Sequence, residues 1–387
     1  MTTQQADKAY IAATYARFPV TLVGGKGAEL FDADGKRYVD MGSGIGVNIF
    51  GTADEQWADV VSAQLKKLAH ASNLYYTEPC ARLAEKLCLK SGMKKVFFAN
   101  SGAEANECAI KTARKWAAEN KGAEYYNIIT LKDGFHGRTL ATLAATAQDS
   151  LHKDFLPLTA GFVYSAANDL EALEKAATEN KCAAIMFETV QGEGGVLPLS
   201  PEFVRGAAET AAKHNLLLIV DEVQTGVGRT GRFYSFMHFG ISPDIVTSAK
   251  GLGGGLPIGA VLFGEKTADV LTAGSHGSTF GGNPAVCAGA EVVVDRLTDE
   301  FLDAVAAKGE RVRKALEGAA GISEITGMGL MIGVRTARPV ADVLADLRSE
   351  GVLALKAHDK LRLLPPLNIS DELLDEAVEK IKKVCAK

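Results

Sequence analysis

The sequence predicts an α/β protein with a mostly parallel central sheet and a smaller α+β domain built from both chain ends. From Lys94 to Glu265, short apolar runs alternate with amphipathic helical stretches, and the runs are apolar throughout, which is typical of strands buried on both faces. The two chain ends show a different pattern of hairpin and helix. A length of 387 residues also exceeds what one core usually holds, which favours two domains.

Taken in order, the elements begin with "GAELFDADGKRYVDMGSG", which alternates around Asp34 and Gly35 as a β-hairpin does. The central block then offers six strand candidates: "KKVFFAN", "YYNIITL", "CAAIMFE", "LLLIVDE", "PDIVTSA" and "IGAVLFG". Towards the C-terminus, "EFLDAVAAKGERVRKALEG" is helical, "GMGLMIGVR" is strand-like, and "ISDELLDEAVEKIKKV" is a helix capped by Ser370. We therefore assign residues 1–55 to a segment that joins the small domain, 56–295 to the large domain and 296–387 to the rest of the small domain.

Composition limits the classes of ligand. The net charge of −5 and the pI near 5.9 provide no basic surface for nucleic acid or anionic membranes, so small molecules are the expected ligands. The polar start "MTTQQADKAY" and the lack of an apolar run near ~18 residues predict a cytoplasmic protein. The six cysteines and seven histidines have no metal-binding or disulfide spacing, so neither a metal nor a disulfide framework is expected.

The stretch "TSAKGLGGGLPIGA" places Lys250 directly after a predicted buried strand and before five glycines. Most lysines lie at the surface, but here the strand and the glycines indicate backbone that bends and approaches another group closely. Burial disfavours the ammonium form, which turns an amine into a usable nucleophile. Lys250 is therefore a candidate catalytic residue.

Asp221 follows five apolar residues in "LLLIVDEVQTGVGRTG", and a carboxylate at that depth needs a cationic partner. A protonated pyridine nitrogen would suit, and it would make the ring an electron sink. The same stretch contains G-x-G-x-x-G at Gly226, Gly228 and Gly231, which suggests a nicotinamide dehydrogenase as an alternative. That alternative lacks the helix that should follow the glycines, and it leaves Lys250 unexplained.

The stretch "FFANSGAEANE" runs from strand to helix with Ser101 and Glu104 in a capping box. Because Gly102 and Ala103 leave the first amides uncovered, the helix start could hold a phosphate. Capping alone would explain the same pattern.

Four further stretches carry polar side chains on loops or strand ends. "KDGFHGRTLATLAATAQ" offers the Phe135 ring for stacking and Arg138 for a carboxylate, or an incidental surface. "FETVQGEGGV" places Glu193 between glycines, and "HGSTFGGNP" supplies the hydroxyls of Ser278 and Thr279. In "LRLLPPLNIS", Arg362 lies within an apolar strand, where it either extends to solvent or pairs with a carboxylate.

Together these stretches resemble the class III (ω-) aminotransferases, which have fold type I and use pyridoxal 5'-phosphate. The resemblance rests on "NSGAEANE", "FHGRTLATL", "QGEGGV", "IVDEVQTGVGRTG", "SAKGLGGGLPIGA" and "HGSTFGGNP", in that order, and extends over nearly the whole chain. It implies a seven-stranded, mostly parallel sheet in the large domain, and a homodimer with active sites at its interface.

The resemblance also implies roles for individual residues at the cofactor. Lys250 would bind it covalently, and Asp221 would pair with the pyridine nitrogen. The remaining cofactor-binding residues would be Gln224 at the ring hydroxyl, Val223 and Phe135 on the two ring faces, Ser101, Gly102 and Ala103 at the phosphate, and Thr279 at the phosphate of the neighbouring subunit.

For the substrates, the resemblance implies transfer of an ω-amino group from N2-acetylornithine to 2-oxoglutarate, a step of arginine biosynthesis. Arg138 would bind the distal carboxylate, Arg362 the α-carboxylate of 2-oxoglutarate, and Glu193 would cover Arg362 while the amine is bound; Ser278 would also contact substrate. Ornithine, succinylornithine, succinyldiaminopimelate and 4-aminobutyrate remain alternative amines. An intramolecular aminomutase is a further relative that needs no external keto acid.

Overall fold

The computed structural model describes all 387 residues. Its helices are α1 Thr3–Tyr10, α2 Ser43–Gly46, α3 Glu55–Lys67, α4 Glu78–Ser91, α5 Gly102–Asn120, α6 Leu140–Ala145, α7 Asp149–His152, α8 Leu170–Glu179, α9 Pro201–Lys213, α10 Pro284–Arg296, α11 Asp299–Leu316, α12 Val340–Ser349 and α13 Asp371–Cys385. Two short 3₁₀ turns span Ser235–His238 and Lys250–Gly253.

The strands are β1 Leu22–Lys26, β2 Glu29–Asp32, β3 Arg37–Asp40, β4 Lys95–Ala99, β5 Asn127–Leu131, β6 Phe162–Ser165, β7 Cys182–Phe187, β8 Val190–Gln191, β9 Leu197–Pro198, β10 Leu217–Asp221, β11 Ile245–Ser248, β12 Gly259–Phe263, β13 Ile322–Met328, β14 Met331–Thr336, β15 Val352–Leu353, β16 Leu355–Ala357 and β17 Lys360–Leu363. They form a large sheet, two four-stranded sheets and a two-stranded ribbon.

The large sheet has seven strands in the order β4-β12-β11-β10-β7-β5-β6. Strands β11, β10, β7, β5 and β6 are parallel, whereas β12 is antiparallel to both of its neighbours. All six strand candidates form strands, so the predicted mostly parallel sheet is confirmed. The seventh strand, β6, was not among them, because it is a half-exposed edge strand without a continuous apolar run.

The apolar runs are buried on both faces, as their composition predicts. Along β5 and β10, Ile128 and Ile219 belong to the core beneath α5, whereas their neighbours Ile129 and Leu218 belong to the core on the opposite face. Helix α5 begins where Ser101 accepts a hydrogen bond from the backbone of Glu104. The sheet therefore has helices on both sides, and loops gather at the carboxyl ends of its strands.

The chain ends pack together into a second core. Strands β2 and β3 form the predicted antiparallel hairpin, and β15 from the C-terminal part pairs in parallel with β3. The core beside them contains Val39 from the N-terminal part with Val334, Leu361 and Leu374 from the C-terminal part. The domain limits at residues 55 and 295 stay a prediction. None of the helices is both long and apolar enough to cross a lipid bilayer.

The C-terminal stretch "GMGLMIGVR" differs from the single predicted strand. It contains the end of β13, a tight turn and most of β14, which pair antiparallel. The turn occurs at Gly329, whose φ of 55° and close approach to the Thr230 backbone leave no room for a side chain. Because the flanking residues are all apolar, the run conceals the turn.

Candidate active site

A cavity of about 440 Å³ opens at the carboxyl ends of the large-sheet strands. Nine of the predicted site residues line it: Ser101, Gly102, Ala103, Phe135, Arg138, Asp221, Val223, Gln224 and Lys250. Glu193 and Arg362 lie beside this cavity and reach it through Gln224. With Glu193 and Arg362, residues from six separate stretches of sequence are thus brought together.

Lys250 lies just beyond strand β11, at the start of a 3₁₀ turn. Its φ of 41° places a non-glycine residue in the left-handed region, a strained conformation that is common at functional sites. The partly buried side chain lines the cavity, and its ammonium makes no hydrogen bond or ion pair within the chain. Burial lowers the pKa of this amine, with Arg362 acting in the same direction and the charge of Glu193 opposing it. Lys250 therefore has the character of a nucleophile and base.

Two glycines of the Lys250 stretch explain how its loop fits the cavity. Gly255, which lines the cavity, has a φ of 139° that side chains rarely adopt. At Gly259 a Cβ would lie 2.3 Å from the carbonyl oxygen of Ser101, so only glycine lets the two loops approach. The expectation that these glycines bend or approach another group closely is confirmed.

Asp221 ends strand β10 and is only 2% exposed. One of its oxygens, Oδ2, lies 2.8 Å from His136 Nδ1 and accepts a hydrogen bond of 2.8 Å from the Asn106 amide. The other, Oδ1, accepts from the backbone N–H of Val223 at 3.0 Å. The carboxylate is thereby fixed in orientation at the cavity wall, where a positively charged ring nitrogen would meet it.

His136 contributes to the charge balance around Asp221. Burial acts against protonation, but the hydrogen bond to Asp221 and the charges of Asp221 and Glu188 outweigh it, so the pKa of His136 is raised. Because the acceptor is a carboxylate, Nδ1 must carry the proton. Its other nitrogen, Nε2, is buried without a partner.

The start of helix α5 lies at the cavity, where the sequence predicts an anion site. The first backbone N–H groups of a helix have no acceptor within the helix, and Gly102 and Ala103 both line the cavity. The capping box is only half formed: Ser101 accepts from Glu104, but the Glu104 carboxylate accepts from the backbone of Asn100 instead of Ser101. The helix start can therefore still hold a phosphate.

Phe135, Val223 and Arg138 shape the cavity on either side of that helix start. Phe135 and Val223 both line it, as two faces for a flat ring would require. Arg138 is exposed, and its guanidinium lies 5.6 Å from the centre of the Phe135 ring. It forms no ion pair in this chain, so it is available for a carboxylate of a ligand.

Arg362 is the second cation near the cavity, and it is 3% exposed. Its Nη1 lies 2.6 Å from Glu193 Oε1 and donates to Gln224 Oε1 at 3.0 Å. Burial acts against the charge on Glu193, but Arg362 outweighs it and lowers the pKa of that carboxyl. Of the two alternatives for Arg362, the structure has the paired one.

Ser278 and Thr279 do not reach the cavity of this chain. The Ser278 hydroxyl accepts hydrogen bonds from the side chain of Asn100 and the backbone of Gly281, which stabilises the turn. Thr279 is exposed. Any contact between Thr279 and a phosphate therefore involves another copy of the chain.

Several cavity residues received no role from sequence reasoning, among them Asn106, His136 and Glu188. His136 stands in a recognised stretch, but a single histidine gives no hint of its partner. Glu188 directly follows strand β7, much as Asp221 ends strand β10. Ligands of such sheets bind at the carboxyl ends of the strands, so this position could have identified Glu188 as a candidate. Asn106 lies within a helix and gave no signal.

The glycine stretch at residues 226–231 does not form the dinucleotide-binding loop that the nicotinamide alternative requires. After Gly231 the chain continues into a short 3₁₀ turn, Ser235–His238, whereas a dinucleotide loop must open a helix. A Cβ at Gly228 would lie 2.9 Å from Leu297, so this glycine serves packing.

The residues fit pyridoxal phosphate on their own chemistry. The amine of Lys250 has no acceptor of its own, and the buried carboxylate of Asp221 has no cationic lysine or arginine partner. A phosphorylated pyridine aldehyde supplies a partner for each, and its phosphate matches the open amides of α5.

Comparisons with known proteins agree with this arrangement. The family model described as aminotransferase class-III matches residues 10–385. The acetylornithine aminotransferase of Haemophilus ducreyi is 51% identical over 383 residues, which cover 98% of each chain. That of Methanocaldococcus jannaschii is 44% identical over 387 residues, covering 98% of this chain and 96% of its own.

Solved structures give the same result. The ornithine aminotransferase of Toxoplasma gondii, which holds the cofactor at partial occupancy, superimposes with a TM-score of 0.94 at 34% identity, covering 99% of this chain and 93% of its own. The N-acetylornithine aminotransferase of Stenotrophomonas maltophilia has a TM-score of 0.85 at 34% identity, with coverage of 99% and 98%. With a family match and relatives of this similarity over nearly their full lengths, the chain belongs to the class III aminotransferases.

Proposed function

We propose that this enzyme transfers the δ-amino group of N2-acetylornithine to 2-oxoglutarate, forming N-acetylglutamate 5-semialdehyde and glutamate in arginine biosynthesis. The observation that carries the proposal is the shared cavity of Lys250, an amine without an acceptor, and Asp221, a buried carboxylate. The choice of amine is supported by the acetylornithine aminotransferases, which are 51% and 44% identical to this chain.

Pyridoxal phosphate, when bound, supplies an aldehyde and an electron-withdrawing ring that stabilises negative charge on the reacting carbon. Asp221 would keep the ring nitrogen protonated, and Asn106 and His136 keep the Asp221 carboxylate oriented. The amides of Gly102 and Ala103 would hold the phosphate, and the Phe135 ring would exclude water from one face.

Lys250 performs the proton transfer. Because burial lowers the pKa of its amine, a larger fraction is neutral near physiological pH than for a surface lysine. The neutral Nζ accepts a proton from the reacting carbon of the substrate and later returns it. Its position at the start of a strained turn holds Nζ at the cavity wall.

Two arginines account for two substrates in one cavity. The exposed Arg138 binds the carboxylate far from the reacting amine of N2-acetylornithine, and later the distal carboxylate of 2-oxoglutarate. Arg362 binds the carboxylate next to the reacting carbon, which only 2-oxoglutarate and glutamate have. Glu193 covers Arg362 when the amine substrate is present, so no buried charge is left unpaired.

We further propose a cytoplasmic homodimer whose subunits share active sites. The support for the shared site is the location of Thr279, exposed and outside the cavity of its own chain, beside Phe280, which is 61% exposed. A second copy would bury this apolar ring and bring Thr279 to the phosphate amides. Sedimentation at micromolar concentration should give twice the chain mass, and Thr279→Ala should weaken cofactor binding.

A half-reaction screen tests the choice of substrate. The purified holoenzyme is mixed with one amine at a time, and the visible absorption of the bound cofactor is recorded as it is converted to its amino form. N2-acetylornithine should react with the highest kcat/KM among N2-acetylornithine, ornithine, succinylornithine, succinyldiaminopimelate and 4-aminobutyrate. A higher value for any other amine would overturn this assignment, and the absence of any spectral change would overturn the transaminase function.

A further inference from the structure

Glu188 is a buried cavity residue whose carboxylate joins two loops. It directly follows β7, and since Phe187 pairs with Val220, it lies level with Asp221 on the neighbouring strand. Its Oε1 accepts a hydrogen bond of 2.9 Å from the backbone of Phe135. Its Oε2 accepts one of 3.1 Å from the backbone of Gly192. Each oxygen thus holds a different loop.

This carboxylate is unusual because it forms no ion pair with a lysine or arginine, although the charge of His136 favours its ionised form. Burial, followed by the charge of Asp221, raises the pKa of Glu188 to about 7. A glutamate that served only the core could be replaced by an apolar residue at little cost. Beside a second carboxylate, its two hydrogen bonds to the backbone are what distinguish Glu188 from such an apolar residue.

The neighbouring Glu222 shows the contrast. It is also fully buried, but it accepts hydrogen bonds from the hydroxyls of Thr225 and Ser235 and from the backbone of Phe236. Those partners lie in one continuous segment. Glu222 therefore stabilises its own loop. It accepts no hydrogen bond from Phe135 or Gly192, and it meets the Glu188 loop only through the Ser235 hydroxyl, which also contacts Thr189.

The two loops held by Glu188 have different tasks in the proposed function. The first presents the Phe135 ring to the cofactor. The second continues from Gly192 to Glu193, whose carboxylate covers Arg362. Beyond Glu193, Gly195 has a φ of 119°, a conformation that side chains rarely adopt. Glu188 thus holds the backbone directly before Glu193, at Gly192.

We propose that Glu188 is a positioning residue: by holding the backbone of Gly192 against the Phe135 loop, it keeps Glu193 over Arg362 while the amine substrate is bound. The inference rests on the proposed exchange of substrates at Arg362. With the hold weakened, Glu193 leaves Arg362 more often, and glutamate, which carries an α-carboxylate, competes better with the amine for the aldehyde form of the enzyme.

The test compares Glu188→Gln with Glu222→Gln in the full chain. A glutamine has one acceptor oxygen, and its NH₂ faces the other backbone N–H, so only one of the two hydrogen bonds survives in Glu188→Gln. Hydrogen exchange followed by mass spectrometry on the cofactor-free protein should be faster in peptides that contain Phe135 and Gly192. Both segments should exchange as in the wild type in Glu222→Gln.

The second readout is the ratio of kcat/KM for the glutamate half-reaction to that for the amine half-reaction. It should rise about tenfold in Glu188→Gln, corresponding to about 1.4 kcal/mol, and stay unchanged in Glu222→Gln. Unchanged exchange at both segments, or an unchanged ratio, would overturn the proposal. If the wild type does not react with the amine, the proposed function fails, whereas the exchange experiment still decides whether Glu188 holds the loops. Should Glu188→Gln not fold, Glu188→Asp, which shortens the reach to both loops, is measured in the same way.

Discussion

The guanidinium of Arg362 lies 2.6 Å from the carboxylate of Glu193, and in the proposed function this contact opens and closes between the two half-reactions. Arg362 is almost fully buried, whereas the Glu193 side chain is 29% exposed. A buried cation that loses its partner carries a large desolvation cost unless another anion replaces it. The α-carboxylate of 2-oxoglutarate can be that anion, so the covered arginine selects for a substrate that brings its own charge.

Arg362→Ala should impair the 2-oxoglutarate half-reaction far more than the amine half-reaction. A buried charge-assisted contact contributes about 2–5 kcal/mol, so kcat/KM for 2-oxoglutarate should fall by about 30-fold or more. The amine never contacts Arg362 and should lose less than about tenfold. Stopped-flow absorbance of each half-reaction measures both values.

The matched control for this variant is Arg335→Ala, which removes a partly exposed arginine of the same C-terminal sheet. Arg335 forms ion pairs with Glu324 and Asp359, and it does not line the cavity that contains Lys250. Exposed pairs of this kind contribute about 0–1 kcal/mol, so neither half-reaction should change. Equal losses in both half-reactions of Arg362→Ala would contradict the assigned role.

Lys250→Ala should abolish turnover while leaving the fold intact. The variant loses both the nucleophile and the base, and general base catalysis alone contributes about 10²–10⁴-fold. Reduction with borohydride followed by mass spectrometry should attach the cofactor to the wild-type peptide that contains Lys250 and to no peptide of the variant. Single-turnover rates equal to those of the wild type would remove Lys250 from the mechanism.

The sequence predicted the large sheet well because its strands are buried on both faces. Apolar runs such as Cys182–Phe187 and Leu217–Asp221 lack the alternation of apolar and polar residues that a half-exposed strand shows. This pattern alone therefore identified them as buried strands. Strand β6 escaped because its residues are partly exposed. The position of the site could also be predicted, since the carboxyl ends of parallel strands meet at one edge of the sheet.

The partners of the catalytic groups could not be read from the sequence. Asp221 is held by His136 and Asn106, which are 85 and 115 positions away in the chain. Such pairings depend on which loops meet in space, and a single histidine or asparagine carries no trace of them. Ser278 and Thr279 differ from these residues, because the sequence predicted them as site residues and the single chain leaves them outside its cavity.

Gly102→Ala tests how closely helix α5 approaches the loop that carries the cofactor contacts. A Cβ at this position would lie 2.7 Å from Val223 Cγ1 and 2.9 Å from Cγ2. Overpacking of this kind costs about 1–3 kcal/mol, although alanine is the better helix former by about 1 kcal/mol. Because Val223 is stiff at χ1, we expect it to be displaced and cofactor affinity to fall.

Fluorescence titration of the cofactor-free variant with pyridoxal phosphate measures that affinity, which should decrease by about tenfold. Gly24→Ala is the control, since a Cβ at this strand position would have no neighbour within 4 Å. Affinity equal to the wild type in Gly102→Ala would show that Val223 adjusts without affecting the site.

Glu188 should give the enzyme a measurable pH dependence of stability. Its pKa is raised from 4.5 to about 7 in the folded chain, first by burial and then by the charge of Asp221. The unfolded chain releases this proton near pH 4.5, whereas the folded chain holds it until about pH 7. The folded state therefore binds more protons between these values, and stability falls as the pH rises through this interval, by at most about 3 kcal/mol.

Glutamine at position 188 does not titrate, so the difference in melting temperature between wild type and Glu188→Gln isolates this contribution. Measured on cofactor-free protein by calorimetry, the melting temperature of the wild type should fall by several degrees relative to the variant between about pH 5 and about pH 8, since 1 kcal/mol corresponds to about 2–4 °C in a domain of about 150–250 residues. Burial outweighs the charge of His136, which favours the ionised form of Glu188. A difference that stays constant with pH would contradict this prediction, because Glu188 would then already be ionised in the folded chain.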